Sequence, residues 1–195
     1  MSATTDYIAK YSQDMVDGCY GTGLFPSVMM AQGILESANG QSQLASLYNN
    51  HFGIKCQGTL SICWITGSYV AMPTTEEVNG ATEHITANFR TYPTAFDGFV
   101  DRNNFLKSNS RYTNAGVFSA STPQDQTQAL LDAGYATESD YASSLNNLID
   151  EYNLESLDSM QPNTTRFTTQ TWVIVGIIGV AMSISAYLYF KYKKK

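Results

Sequence analysis

The segment Pro26 to Lys55, PSVMMAQGILESANGQSQLASLYNNHFGIK, constrains this chain more than any other. It opens with an apolar run, Val28, Met29, Met30, Ala31, Ile34 and Leu35, at helical spacing. A helix that is apolar on most of its faces belongs in an interior. The rest of the chain must therefore be built around it. Glu36 ends the run, and it is the only acid between Pro26 and Lys55. A small polar turn follows, Ser37-Ala38-Asn39-Gly40. A carboxyl at the end of a buried helix, at the rim of a cleft, acquires a raised pKa because burial disfavours its charged form. A general acid that protonates a glycosidic oxygen needs that property.

At 195 residues the chain is long enough for one domain with a substantial core. All 17 acidic residues precede residue 160, and the last five positions hold four of the 11 basic ones. No basic face with interleaved aromatics stands out, so a nucleic-acid partner is not expected. The three cysteines, Cys19, Cys56 and Cys63, are too few and odd in number for a disulfide framework. Cys56 and Cys63 either close a short loop in an oxidising compartment or stay reduced. His51 and His84 have no Cys or His at ligand spacing, so no zinc site, and no metal or organic cofactor, is expected.

Trp172 to Phe190, WVIVGIIGVAMSISAYLYF, carries no charge. At ~1.5 Å per residue it is long enough to cross a hydrocarbon core of ~30 Å. Trp172 at one end and Tyr187 and Tyr189 at the other suit the interfaces, and Lys191 and Lys193–Lys195 follow. The sequence thus predicts a domain over 1–160, a linker over 161–171, a transmembrane helix over 172–190 and a basic tail over 191–195. The lysines place the domain on the far side of the membrane from the tail. The polar N-terminus has no signal-peptide core, which suits a virus particle or delivery by lysis.

Within the domain, helices are expected over 4–20, from Pro26 through Glu36, over 42–49, 94–107, 122–134 and 138–152. Ile62, Trp64, Ile65, Tyr69 and Val70 favour strand, as do Ile85 and Phe89. A turn at Glu77-Val78-Asn79-Gly80, with its Asn-Gly pair, predicts a β-hairpin between them. The fold class is α+β and mainly helical, with a small β-hairpin lobe after the acid-bearing helix.

Four ordered blocks now carry a resemblance. PSVMMAQGILESANGQSQLASLYNNHFGIK, then TTEEVNG with ITANFRTYPTAFDGFVDRNNFL, then NSRYTNAG, then GYATESDYASSLNNLIDEYNL together resemble the peptidoglycan N-acetylglucosaminidases of glycoside hydrolase family 73, the flagellar and autolysin type. The resemblance covers roughly residues 5–153. It implies a lysozyme-like fold and hydrolysis of the β-1,4 bond between N-acetylglucosamine and N-acetylmuramic acid in peptidoglycan glycan strands.

By the same resemblance Glu36 is the general acid. Glu76 falls on the family's hairpin acid, with Glu77 its neighbour, and strand alternation lets only one of the two face the cleft. A separation of about 6.5–9.5 Å between the two carboxyls would mean inversion, and about 5–5.5 Å a direct nucleophile. Attack by the substrate's own acetamido group is a third route. Tyr135 matches a tyrosine that assists near the reaction centre, with a packed core tyrosine as the plainer reading. Asn49, Asn50, Phe52 and Gly53 match a loop whose amides and ring line the sugar groove. Tyr141 falls in the closing motif, as packing or as a further groove residue. Asp97 is read as a helix cap. His51 stands where the family has an apolar residue, and Cys56 where it has a small one.

Two other functions share parts of this pattern. A lytic transglycosylase has the same fold and single glutamate, but TTEEVNG and GYATESDYA argue against it. A non-catalytic wall-binding or assembly component, with virion or envelope proteins as partners, is the other. A phage-type lytic factor in a virion membrane, or an enzyme of the bacterial inner membrane, is the expected setting.

Overall fold

The computed structural model describes residues 2–56, 68–78 and 81–163, with backbone alone at 76–78, 81 and 82. Residues 1–161 form one compact unit. Three helices open the chain: α1 (Ala3–Cys19), α2 (Pro26–Glu36) and the short α3 (Gln43–Tyr48). Strands β1 (Tyr69–Val78) and β2 (Ala81–Arg90) follow as an antiparallel pair. Helices α4 (Ala95–Ser108), α5 (Ser110–Asn114), α6 (Pro123–Asp132) and α7 (Tyr141–Glu151) complete the body, and a 3-10 turn spans Leu154–Ser159.

Helix α2 is the axis of the fold. Ser27 through Ile34 are all buried, and the helix packs against α1, α6, α7 and the 3-10 turn. Val28, Met29, Met30 and Ala31 have no accessible surface. Burying side chains of this size contributes roughly 1.5–3 kcal/mol each for the larger ones. Pro26 sits at the first helical position, where its missing N–H costs nothing. The neighbouring amide is held by a distant residue: the Ser27 N–H and hydroxyl both donate to the Asp158 carboxylate, at 2.8 and 2.7 Å. Gly33 allows α1 to come close, since a Cβ there would lie 2.6 Å from the Tyr7 hydroxyl. Helices α1, α3, α4 and α6 start within a residue of the expected positions, whereas α7 starts at Tyr141 rather than at 138 and α5 was not expected. Thr94 and Asp97 form a reciprocal capping box on α4, and Thr122 with Pro123 opens α6.

The hairpin keeps the expected place but is longer than the sequence suggested. Glu77 and Val78 belong to β1 rather than to the turn, and Val78 pairs with Ala81. Asn79 and Gly80, Ile62, Trp64 and Ile65 lie outside the described residues. Toward the tip Glu83, His84 and Thr86 are exposed, while at the foot Phe89 and Arg90 are buried. The Arg90 guanidinium donates to Asp101 of α4 at 2.7 Å, and the Tyr92 hydroxyl donates to the same oxygen at 2.7 Å. Residues 54–56 run beside β2, where Cys56 N–H donates to Asn88 and Arg90 N–H donates to Ile54. Cys56 is disulfide-bonded, one of the two states the sequence leaves open, and Cys63 lies outside the described residues. Cys19 is a free, buried thiol pushed up to about 12 by burial.

Among the described residues no helix is long and apolar enough to cross a membrane. The expected span 172–190 and most of the linker lie outside them.

His51, the departure noted in the sequence, packs among Tyr7, Tyr11 and Phe99 with its Nδ1 3.0 Å from the Tyr7 hydroxyl. It is 1% exposed, and burial together with the charge of Lys10 lowers its pKa to about 4. The unfolded chain takes up this proton near 6.5 and the folded chain only near 4. Stability from this group is therefore intact above 6.5 and falls as pH drops through the interval. The full loss, on the order of 3 kcal/mol, is reached below it. A Phe ring fits the same aromatic surroundings, so His51→Phe is expected to flatten the fall in stability between pH 6.5 and 4. Urea unfolding across that range checks it, and parallel curves for the two proteins would refute it.

Candidate active site

Glu36 is the last residue of α2, and the turn after it is shaped by backbone strain. Ala38, Asn39 and Gly40 all have positive φ, at 50°, 59° and 77°. Ser37 holds this turn. Its hydroxyl donates to the Gly33 carbonyl and accepts from the Gly40 N–H at 2.7 Å. The helix thus ends abruptly and leaves Glu36 at the wall of a cleft of about 780 Å³. That volume suits a small number of ligand units. Phe52, Gly53, Ile54 and Lys55 line one part of it, Thr75 of β1 another, and Phe105, Arg111 and Tyr112 a third. Gly134 to Glu138, Asp140, Tyr141 and Ser144 close the remaining side.

Glu36 is exposed to solvent through the cleft, while the crowding of the cleft walls around its carboxyl removes part of its hydration. This desolvation raises its pKa, and the nearby Glu138 carboxylate acts in the same direction. The Tyr141 hydroxyl donates to Oε1 of Glu36 at 3.0 Å, and this bond, with the charge of Arg102, pulls the other way. Tyr141 is tied in turn to the core, because Gln32 Nε2 donates to its hydroxyl at 2.7 Å. Gln32 Oε1 accepts from Nη2 of Arg102, whose Nη1 donates to Asn103 at 3.0 Å. Gln32 and Arg102 are completely buried.

The cleft collects Glu36, Tyr135, Tyr141, Phe52 and Gly53 from the sequence reading. Tyr141 does more than pack, since it is the direct partner of the acid. Tyr135 stacks on Tyr141 with ring centroids 5.7 Å apart, and makes no hydrogen bond to Glu36.

Asn49 and Asn50, expected along the sugar groove, are not among the residues that line this cleft. The Asn49 amide donates to the carbonyls of Tyr92 and Pro93, at 3.0 and 3.2 Å. Asn50, 1% exposed, donates to the carbonyls of Ile54 and Arg90 and accepts from the Ile54 N–H. Their hydrogen-bonding capacity serves the backbone that carries Phe52 to Lys55.

Glu76 pairs with Glu83 in the hairpin register and Glu77 with Thr82. Their side chains lie outside the described ones, so no carboxyl separation follows. Gln32, Arg102, Arg111 and Glu138 are the cleft and near-cleft residues that the sequence reading did not single out. One signal was present: Gln32 is the polar residue within the apolar run, four positions before Glu36 and so on the same helix face. No group of three or more potential metal ligands occurs among the described residues.

An acid of raised pKa, open to a groove and gripped by a tyrosine, is fitted for proton donation. The sequence pattern of the glucosaminidase family, described as mannosyl-glycoprotein endo-beta-N-acetylglucosaminidase, matches residues 13–154. The chain belongs to this family. Within the glucosaminidases it is 42% identical over 162 residues to a probable N-acetylmuramidase of Lactococcus lactis subsp. cremoris, covering 80% of this chain and 35% of that protein. It is 32% identical to the exo-glucosaminidase LytG of Bacillus subtilis, covering 72% and 48%. Against the peptidoglycan hydrolase FlgJ of Escherichia coli the identity is 35%, covering 67% and 41%. The chain thus spans between a third and a half of the length of these relatives. The solved catalytic domain of the autolysin Auto from Listeria monocytogenes is similar in structure, with a TM-score of 0.70 and 34% identity, covering 81% of this chain and 89% of that one. A truncated glycoside hydrolase domain of Salmonella typhimurium FlgJ gives 0.61 and 30%, covering 77% and 97%. This glucosaminidase-family domain has their mainly helical, lysozyme-like fold with a small two-stranded sheet.

Proposed function

We propose that this glucosaminidase cleaves the β-1,4 bond between N-acetylglucosamine and N-acetylmuramic acid in peptidoglycan, with Glu36 as the acid. The observation that carries this reading is the cleft-lining carboxyl of raised pKa held by Tyr141. In the proposed reaction the Glu36 proton passes to the bridging oxygen as the glycosidic bond breaks. The anomeric carbon, now oxocarbenium-like, takes up a water. Either Glu76 guides that water or the substrate's acetamido group attacks first and water opens the resulting ring. Phe105 and Tyr135, both partly exposed in the cleft, offer flat faces for sugar rings.

The relatives include both a muramidase and a glucosaminidase, so the bond cut is the point to test. Purified sacculi digested by the chain are expected to yield fragments with N-acetylglucosamine at the new reducing end, read by product mass after borohydride reduction. Muramic acid reducing ends would move the cut to the other bond, and anhydro-muramyl ends would replace hydrolysis by transglycosylation.

The setting is proposed on the sequence alone. The uncharged run from Trp172 to Phe190 forms a single membrane span, and Lys191 to Lys195 stay on the cytoplasmic or equivalent side. The domain then works on the wall-facing side, as a phage-type lytic factor in a virion membrane or as an enzyme of the bacterial inner membrane. Release of the protein from membranes by alkaline carbonate would refute the span.

A further inference from the structure

Tyr141, Gln32 and Arg102 form an unbroken hydrogen-bonded chain leading from Glu36 into the core. Its members come from three helices, α7, α2 and α4. With Gln32 and Arg102 fully buried, bulk water does not compete for these bonds. A guanidinium carries donors only and stays protonated. A primary amide has one donor end and one acceptor end, and in most places it can turn over. Beside Arg102 it has one choice. The carbonyl end of Gln32 must face the guanidinium, so its NH₂ must face Tyr141. The tyrosyl oxygen then accepts from Gln32, and its own proton is directed to Glu36.

We infer that Arg102, acting through Gln32, fixes the sense of this chain, so that Tyr141 always donates to Oε1 of Glu36 and the acidic proton is confined to Oε2. The inference rests on Glu36 being the general acid, and it adds which carboxyl oxygen delivers the proton and what determines it. Were the chain free to reverse, protonated Glu36 would donate from Oε1 into the tyrosyl oxygen, and its proton would be turned away from the sugar. Arg102 and Gln32 are positioning residues, since both are sealed from the cleft.

Arg102 has a second effect. It sits against neutral groups: Gln32, Asn103 and the Phe52 ring, 5.8 Å from the guanidinium. The carboxylate that appears as Glu36 releases its proton is stabilised by this charge and by the Tyr141 hydroxyl. The other titratable or charged groups around Glu36 are Tyr135 and Glu138 beside it, with Asp140, Arg111, Tyr112 and Lys55 lining the same cleft.

The test is a double-mutant cycle in the full chain, with Tyr141→Phe, Gln32→Met and both together. Two quantities are read: kcat on soluble glycan strands, and the Glu36 pKa by carboxyl-carbon NMR without substrate. Each single variant is expected to lower kcat roughly tenfold to a hundredfold through misdirection of the acid, and to raise the Glu36 pKa. The double variant is expected to match Tyr141→Phe alone, because Gln32 acts only through Tyr141. Losses that add, or an unchanged pKa and kcat in Gln32→Met, overturn the inference. Should Gln32→Met not fold, Gln32→Glu keeps the shape and puts an acceptor where Tyr141 needs a donor. The tyrosyl proton then turns to residue 32, and kcat should fall as far as in Tyr141→Phe. Wild-type kcat in that variant overturns the inference as well. Glu36→Gln run in parallel separates the two levels. Retained activity there refutes Glu36 as the acid, whereas the NMR titration reports on the chain without reference to catalysis.

Discussion

Glu36→Gln is expected to reduce peptidoglycan turnover by a factor of roughly 10²–10⁴, the usual contribution of a positioned general acid. Glutamine keeps the shape and accepts the Tyr141 hydrogen bond through its amide oxygen, so binding of the glycan should survive while proton delivery ends. The same substitution has a second expected effect, of opposite benefit to the protein. The folded-state pKa of Glu36 is raised, by desolvation first and Glu138 next. A raised carboxyl favours the folded state fully at pH below the unfolded value near 4.3. That support is lost as pH rises through the folded pKa, because the folded chain must then bury part of a charge. At neutral pH Glu36→Gln should therefore unfold at a higher temperature than wild type, and the gap should close in acid. Calorimetry at pH 7 and pH 4 checks this. A variant that keeps its activity, or that loses stability at pH 7, contradicts Glu36 as a desolvated general acid.

Asp101→Ala should be the most damaging single change outside the cleft. Asp101 is 5% exposed and receives both the Arg90 guanidinium and the Tyr92 hydroxyl at 2.7 Å. Truncating it leaves a buried cation facing a void. Breaking such a pair by removing one partner typically costs about 3–5 kcal/mol, far more than the intact pair contributes. For a domain whose total stability is of order 5–15 kcal/mol, that is a large share. Arg90 ends β2 and Asp101 lies on α4, so the foot of the hairpin should loosen before the helical body. Faster amide exchange at Phe89 and Arg90 than in α2 would show it. A melting temperature within a degree of wild type would mean that the ion pair is dispensable. Asp101→Asn, which still accepts one hydrogen bond, should lie between the two.

Much of this arrangement is legible in the sequence. The apolar run from Val28 to Leu35 marks the central helix, since such a run has no stable place but an interior. The same run makes Glu36 conspicuous. The Asn-Gly pair locates the hairpin, and Thr94, Asp97, Thr122 and Pro123 mark helix starts by local chemistry. What escapes is whatever depends on distant parts of the chain meeting. Gln32 reaches Tyr141 across 109 residues and Arg102 across 70, and neither encounter leaves a local trace. The main-chain partners of Asn49 and Asn50 escape for a related reason. An amide that suits a sugar hydroxyl suits a main-chain carbonyl equally well, and only the return of the segment at Tyr92 decides between them.

Helix α2 joins two demands in one short stretch. Val28 to Ala31 supply the packing, and Gln32 and Glu36 supply the chemistry. Laboratory evolution toward heat tolerance, with activity kept under selection, should leave these positions untouched and accumulate its gains on the outward faces of α1, α6 and α7, so that a sturdier descendant would carry the ancestral axle unchanged.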